Sequence, residues 1–215
     1  MDVLDWRRRV SALYAAVRTA PSPAQGHATW IRERDTLFAR HPASPIPPAD
    51  RAVFTGLRYA PYDPALRFEV RVDPDVAPLR IDVTTGTDGV VPFDRIGRVR
   101  LPLGDLDVWW LGSYGGGLFL PLRDGSSGRR SYGGGRYVID TVKGADLGGD
   151  PRRDLVVDLN FAYNPSCAYD PAWACPLAPP GNRLDTELHA GELASASTGA
   201  SATEFLPDEE KSAPE

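Results

Sequence analysis

Two hydrophobic rhythms divide the chain. Near the start, Trp6, Val10, Leu13 and Val17 recur at steps of four, three and four, the spacing of one helical face. Ala20-Pro21-Ser22-Pro23 interrupts that pattern. Ser22 reads as the N-cap of a second helix, with Pro23 at its first position and Gln25 at its third. Trp30, Ile31, Leu37 and Phe38 are its predicted core face, and His41-Pro42 ends it. From residue 66 the period drops to two. Leu66, Phe68, Val70 and Val72 alternate with Arg67, Glu69, Arg71 and Asp73. The same alternation returns through Leu79, Ile81 and Val83, through Val99, Leu101 and Leu103, and through Leu106, Val108 and Trp110. A strand with one buried face requires this pattern. Further strands are predicted at 118–122, 136–142, 155–163 and 183–190. Their short spacing predicts antiparallel neighbours. The expected fold is mainly β: an antiparallel barrel or sandwich of about eight strands, preceded by two N-terminal helices. The expected organisation is a helical segment, 1–45, packed on a β domain, 46–193, with a disordered acidic tail at 194–215.

Composition supports many turns, because Gly and Pro stand at 21 each. The formal net charge is −5. The last dozen residues hold Glu204, Asp208, Glu209, Glu210 and Glu215 against Lys211 alone, so the body of the chain is nearly neutral. Nucleic acid is therefore not an expected partner, since binding it needs a basic face. No apolar run approaches a membrane span, and MDVLDWRRRV has no signal core. A bacterial, cytoplasmic setting with reduced thiols is the expectation.

Two stretches carry a resemblance. One is LFLPLRDGSSGRRSYGGGRY, 118–137; the other is DLNFAYNPSCAYDPAWACPLAPPGNRL, 158–184, followed by Ala190-Gly191-Glu192. Together with FTGLRYAPYDPALRF and VPFDRIGRV upstream, they resemble the domain-of-unknown-function family 1684 of bacteria and archaea. Leu122 and Leu159 stand where that pattern suggests phenylalanine. The resemblance implies no activity, cofactor or catalytic residue.

The densest chemistry lies between Asp158 and Asn182. On a strand, Asp158 and Asn160 share one face about 7 Å apart. They would bind a polar ligand or, the favoured reading, satisfy the backbone of the Pro-rich segment after Tyr163. Asn164 and Tyr169 follow them into that segment. Cys167 and Cys175 are eight apart. Three readings compete: reduced thiols packed as small apolar groups, a stored or redox-linked disulfide, and a zinc site. Only His27, His41 and His189 could complete a zinc set, so no metal is expected.

Twelve of the 21 glycines fall between Gly112 and Gly149, including the repeated Tyr-Gly-Gly-Gly at 114–117 and 132–135. Both copies lead into strands, which argues against a phosphate loop opening a helix. Glycines at bulges or close crossings explain them more simply. The functional reading has backbone amides near Tyr132 approach a ligand while Arg123 and Arg136 neutralise an anion. The plainer one is an Arg123–Asp124 or Arg136–Asp140 ion pair. Trp109-Trp110 leaves at least one indole partly exposed on a strand, unless the N-terminal helices cover that side with Trp6 and Trp30.

No Gly-x-Ser-x-Gly elbow, His-Glu-x-x-His or triad occurs. The best-supported expectation is a small-molecule binding β domain, with an anionic metabolite as the ligand class. The alternatives are an enzyme using Asp124, Asp158 or Asp170 as acid or base, and a structural or interaction module. Cofactor and oligomeric state are open.

Overall fold

The computed structural model describes residues 1–85, 89–112, 114–150, 154–173 and 175–194. Helix α1 (Asp2–Arg18) is followed by α2 (Pro23–Arg40). Ser22 caps α2 as the sequence predicts, its hydroxyl accepting the Gln25 N–H at 3.3 Å. Eight strands follow among the described residues: β1 (Arg67–Arg71), β2 (Arg80–Thr85), β3 (Gly89–Leu101), β4 (Gly104–Leu111), β5 (Gly117–Leu122), β6 (Arg136–Asp140), β7 (Gly149–Asp150) and β8 (Asp154–Asp158). Every pairing between these strands is antiparallel. β2 to β6 form a five-stranded sheet in sequence order, and β1-β8-β7 form a three-stranded one.

Alternation along the strands assigns the layers. Phe93, Trp109, Phe119 and Tyr137 leave one face of the larger sheet and meet Leu13, Tyr14, Val17 and Trp30 of the helices. Val99, Leu106, Val108, Leu120 and Leu122 pack in a second core with Phe68, Val70 and Val157 of the smaller sheet. The two sheets stack as a sandwich with open edges, and among the described residues no closed barrel forms. Burying each large apolar side chain contributes roughly 1.5–3 kcal/mol. Trp30 packs in the sheet-facing core as expected, but Trp6 packs on Phe38 and His41 instead. Trp109 is fully buried, whereas Trp110 is 42% exposed.

Three predicted strands are corrected. The one expected over 155–163 ends at Asp158, whose Oδ1 accepts the Asn160 N–H at 3.0 Å and bends the chain into a 3-10 turn, Leu159–Phe161. The one expected over 136–142 ends at Asp140, which caps the turn Thr141–Lys143 in the same way. Segment 183–190 forms no strand. It runs beside the β5–β6 connection through single bonds, Leu184 N–H to Arg123 O at 2.8 Å and Gly125 N–H to Thr186 O at 3.1 Å. The acidic tail lies outside the described residues except for Ala194, whose N–H donates to Arg130 O.

Candidate functional site

The two motif stretches meet in space. Tyr137 of β6 and Tyr163 exchange backbone hydrogen bonds of 2.8 and 2.9 Å. Arg136, at the start of β6, is buried. One of its Nη groups donates to Ala190 O at 2.5 Å and Glu192 O at 3.1 Å; the other pairs with the Asp124 carboxylate. This corrects both expected ion pairs. The β5–β6 connection folds back so that Asp124 lies beside Arg136, and its Oδ1 accepts the Ser126 N–H at 2.5 Å. Asp140 instead receives the Tyr163 hydroxyl at 3.3 Å and lies 3.7 Å from Lys143 Nζ. Burial pushes the Arg136 guanidinium below its usual range, and Asp124 counteracts it. Arg123 is exposed.

Asn164 belongs to the same locality through Glu192. The Glu192 carboxylate is sealed from water and accepts four donors. They are Arg34 Nη2 at 2.7 Å, the Asn164 N–H and Nδ2 at 3.1 Å each, and the Tyr169 hydroxyl. Asn164 Nδ2 also donates to Leu193 O at 3.0 Å. Two acceptors therefore fix the amide orientation, with Oδ1 facing the other way. Among the described residues, Asn164 Oδ1 is the buried side-chain polar atom that has no hydrogen-bond partner. Arg34 bonds the Tyr59 hydroxyl at 3.2 Å, and its guanidinium lies about 5 Å from the rings of Trp30, Phe38 and Tyr163. Burial raises Glu192 above the ordinary carboxylate range, opposed by Arg34 and Asn164.

Neither Arg34 nor Glu192 stood out from the sequence as a site residue. A signal for Arg34 exists: it falls on the stripe Trp30, Leu37, Phe38, where a charge needs a buried partner. Glu192 had only its place in Ala190-Gly191-Glu192.

Asp158 and Asn160 form a separate cluster with a structural task. The turn after β8 brings Asn160 Nδ2 to 2.7 Å from Asp158 Oδ1 rather than leaving the two side by side on a strand. Asn160 then clamps Asp63, accepting its N–H and donating to its O at 2.8 Å each. Tyr62 donates to Asp158 Oδ2 at 3.3 Å. The backbone they satisfy thus precedes β1, not the segment after Tyr163. Burial raises Asp158, against the bonds from Asn160 and Tyr62. Asp170 accepts the Ala172 N–H.

The half-buried thiols of Cys167 and Cys175 are adjacent and unbridged. Cys175 Sγ accepts the Cys167 N–H at 3.4 Å, and Tyr132 Oη lies 3.6 Å from Cys167 Sγ. Tyr137 Oη donates to Pro176 O at 2.6 Å and ties down the same segment. Among the described residues no group of three metal-ligating side chains forms. Two open surface depressions of about 400 Å³ lie elsewhere, one along Glu69–Pro74 and Arg100, the other between Ser22, Tyr62 and Arg67.

A helix-covered antiparallel sandwich, with a carboxylate buried against an arginine from the helical layer, defines the class of protein. The chain belongs to the family described as "Protein of unknown function (DUF1684)", whose model matches residues 52–193. Among solved structures, it is similar to the solution NMR structure of an uncharacterized protein from gene locus rrnAC0354 of Haloarcula marismortui. Identity is 34%, the match covers 76% of this chain and 89% of that one, and the TM-score is 0.51. No curated protein matches.

Proposed function

We propose that this protein is a small-molecule binding β domain whose site is centred on Asn164, Tyr169 and Glu192. The observation that carries the reading is the unpartnered Asn164 Oδ1. A buried acceptor left without a donor costs about 1–3 kcal/mol, so a ligand that supplies one gains that energy on binding. The amide cannot turn to relieve itself, because its nitrogen is committed to Glu192 and Leu193. Half-buried Tyr169 joins this centre to the surface. Arg34 and Arg136 are each committed to a carboxylate, which favours a ligand bearing a hydroxyl or N–H donor. Exposed Arg123 is the arginine among the candidates that remains for an anionic group. A cytoplasmic setting agrees with two unbridged cysteines.

A thermal-shift panel of sugars, amino acids, amides and their phosphorylated or carboxylated forms tests the reading. At 100 times Kd, a hit stabilises by about 2.7 kcal/mol. The stabilisation should disappear in Asn164→Ala and weaken in Tyr169→Phe. Failure of the whole panel, together with a crystal structure showing one ordered water on Asn164 Oδ1, would overturn it.

A further inference from the structure

We propose that Cys167 and Cys175 form a dithiol site that a hydroperoxide oxidises to an intramolecular disulfide. The site is built from several elements. Cys167 sits in the 3-10 turn Ser166–Ala168, and Cys175 returns to it eight residues later. A sulfur 3.4 Å from the Cys167 amide nitrogen is within reach of that residue's own side chain. Tyr132, from the β5–β6 connection, holds the Cys167 sulfur. Both cysteines keep some exposure, so a small oxidant can reach them.

The surroundings assign the roles. The neighbouring Cys167 side chain, the Cys167 N–H donated to the Cys175 sulfur, and the positive charge of Lys143 hold the Cys175 thiol below its ordinary range against its burial. The Cys167 thiol is pushed up by the neighbouring Cys175 side chain and by its own burial. Cys175 is therefore the nucleophile and Cys167 the resolving thiol.

The Cys175 thiolate attacks the terminal oxygen of the hydroperoxide. The O–O bond breaks, an S–O bond forms, and the departing alkoxide takes a proton from solvent. Sulfur has given two electrons to the peroxide and is now a sulfenic acid. The Cys167 sulfur then attacks the Cys175 sulfur. The S–S bond forms, the S–O bond breaks, and hydroxide leaves as water with the Cys167 proton. Tyr132 positions Cys167 for this step by donating to its sulfur as the proton departs. A dithiol reductant reverses the product.

The full chain, reduced and then treated with stoichiometric hydrogen peroxide, is read by intact mass and alkylation. The expected product is a monomer lighter by about 2 Da with both thiols lost to alkylation, restored by dithiothreitol. Cys167→Ser should stop at a sulfenic acid on Cys175 that dimedone traps. Cys175→Ser should react at least about tenfold more slowly. Circular dichroism confirms that each variant is folded. Sulfinic acid on Cys175 with Cys167 still alkylatable, a disulfide-linked dimer, or two unreactive thiols would each overturn the proposal.

Discussion

Arg34 and Glu192, 158 positions apart, meet at 2.7 Å, the carboxylate sealed from water and the guanidinium largely buried. Arg34 comes from α2, ahead of residues 52–193 that the family model matches, whereas Glu192 stands at the end of that span. In this chain the centre around Glu192 is thus completed by a helix that lies ahead of the matched span. The Arg34–Glu192 bond fastens that helix to the sandwich, with Asn164 and Tyr59 holding the two partners in place.

Removing one partner strands the other charge. Glu192→Ala or Arg34→Leu alone should each cost about 3–5 kcal/mol, because an unpaired charge would remain buried. The double variant Arg34→Leu/Glu192→Leu should cost well below the sum, since no charge is left without a partner. Urea unfolding of the four proteins measures the cycle. Additive single costs would mean that the two side chains are not coupled.

His27 gives the fold an acid-sensitive contact. Its Nε2–H donates to Asn160 O at 3.0 Å, and its ring packs on Trp30, Tyr62 and Phe161. Burial lowers its pKa below 6.5, so the unfolded chain takes up the proton first on acidification. Its contribution is full above 6.5 and is lost as pH falls through the folded value. Glu192 and Asp158 are raised, so their contributions are full below the ordinary carboxylate range and are lost as pH rises through their folded values. The urea midpoint of the wild type should therefore fall just below pH 6.5, and His27→Gln should flatten that slope. An unchanged slope in His27→Gln would place the acid response elsewhere.

Periodicity carried the architecture because half-buried strands must alternate and surface helices must show a stripe. Both helices, the caps at Ser22 and the runs at 66–72, 99–103 and 106–110 were legible for that reason. What local pattern cannot report is where a strand stops for a polar reason. Asp158 and Asp140 end their strands by capping the next turn, yet in sequence each continues an apolar run. The candidate site was partly legible. Arg136, Asn164, Tyr169 and the cysteines meet around the β5–β6 connection, and Asp158 and Asn160 turned out to clamp Asp63. Arg34 escaped because its partner lies 158 residues away, beyond the reach of any window.

Asn182 shows how one amide holds a loop to two strands. Its Nδ2 donates to Asp107 O at 2.7 Å and Pro121 O at 2.9 Å, and its Oδ1 accepts the Trp109 indole N–H at 2.6 Å. Trp109→Phe removes that donor while keeping most of the buried ring. The stranded oxygen should cost about 1–3 kcal/mol. Hydrogen exchange should accelerate at the Arg123 and Leu184 amides, which tie the same segment down. If stability falls but exchange at those two amides does not change, the cost belongs to packing and not to the lost bond.

Gly191 sets the direction in which Glu192 enters the centre. Its φ is +70°, in the left-handed region, and a Cβ there would fall 2.5 Å from Ala162 O and 3.1 Å from Leu159 O. Ala162 O is also the acceptor of the Glu192 N–H at 2.8 Å, so Gly191→Ala must disturb the bond that aims the carboxylate at Arg34. The left-handed conformation itself costs about 1–2 kcal/mol for alanine. Gly128 supplies the control, with φ at +82° and nothing within 4 Å of a built Cβ. Gly128→Ala should pay that conformational cost alone. Gly191→Ala should lose at least about 1 kcal/mol more for the displaced hydrogen bond, and it should also weaken the Arg34–Glu192 coupling in the double-mutant cycle. Equal losses for the two alanine variants would mean that the crowding at Ala162 is relieved by a shift that leaves Glu192 in place.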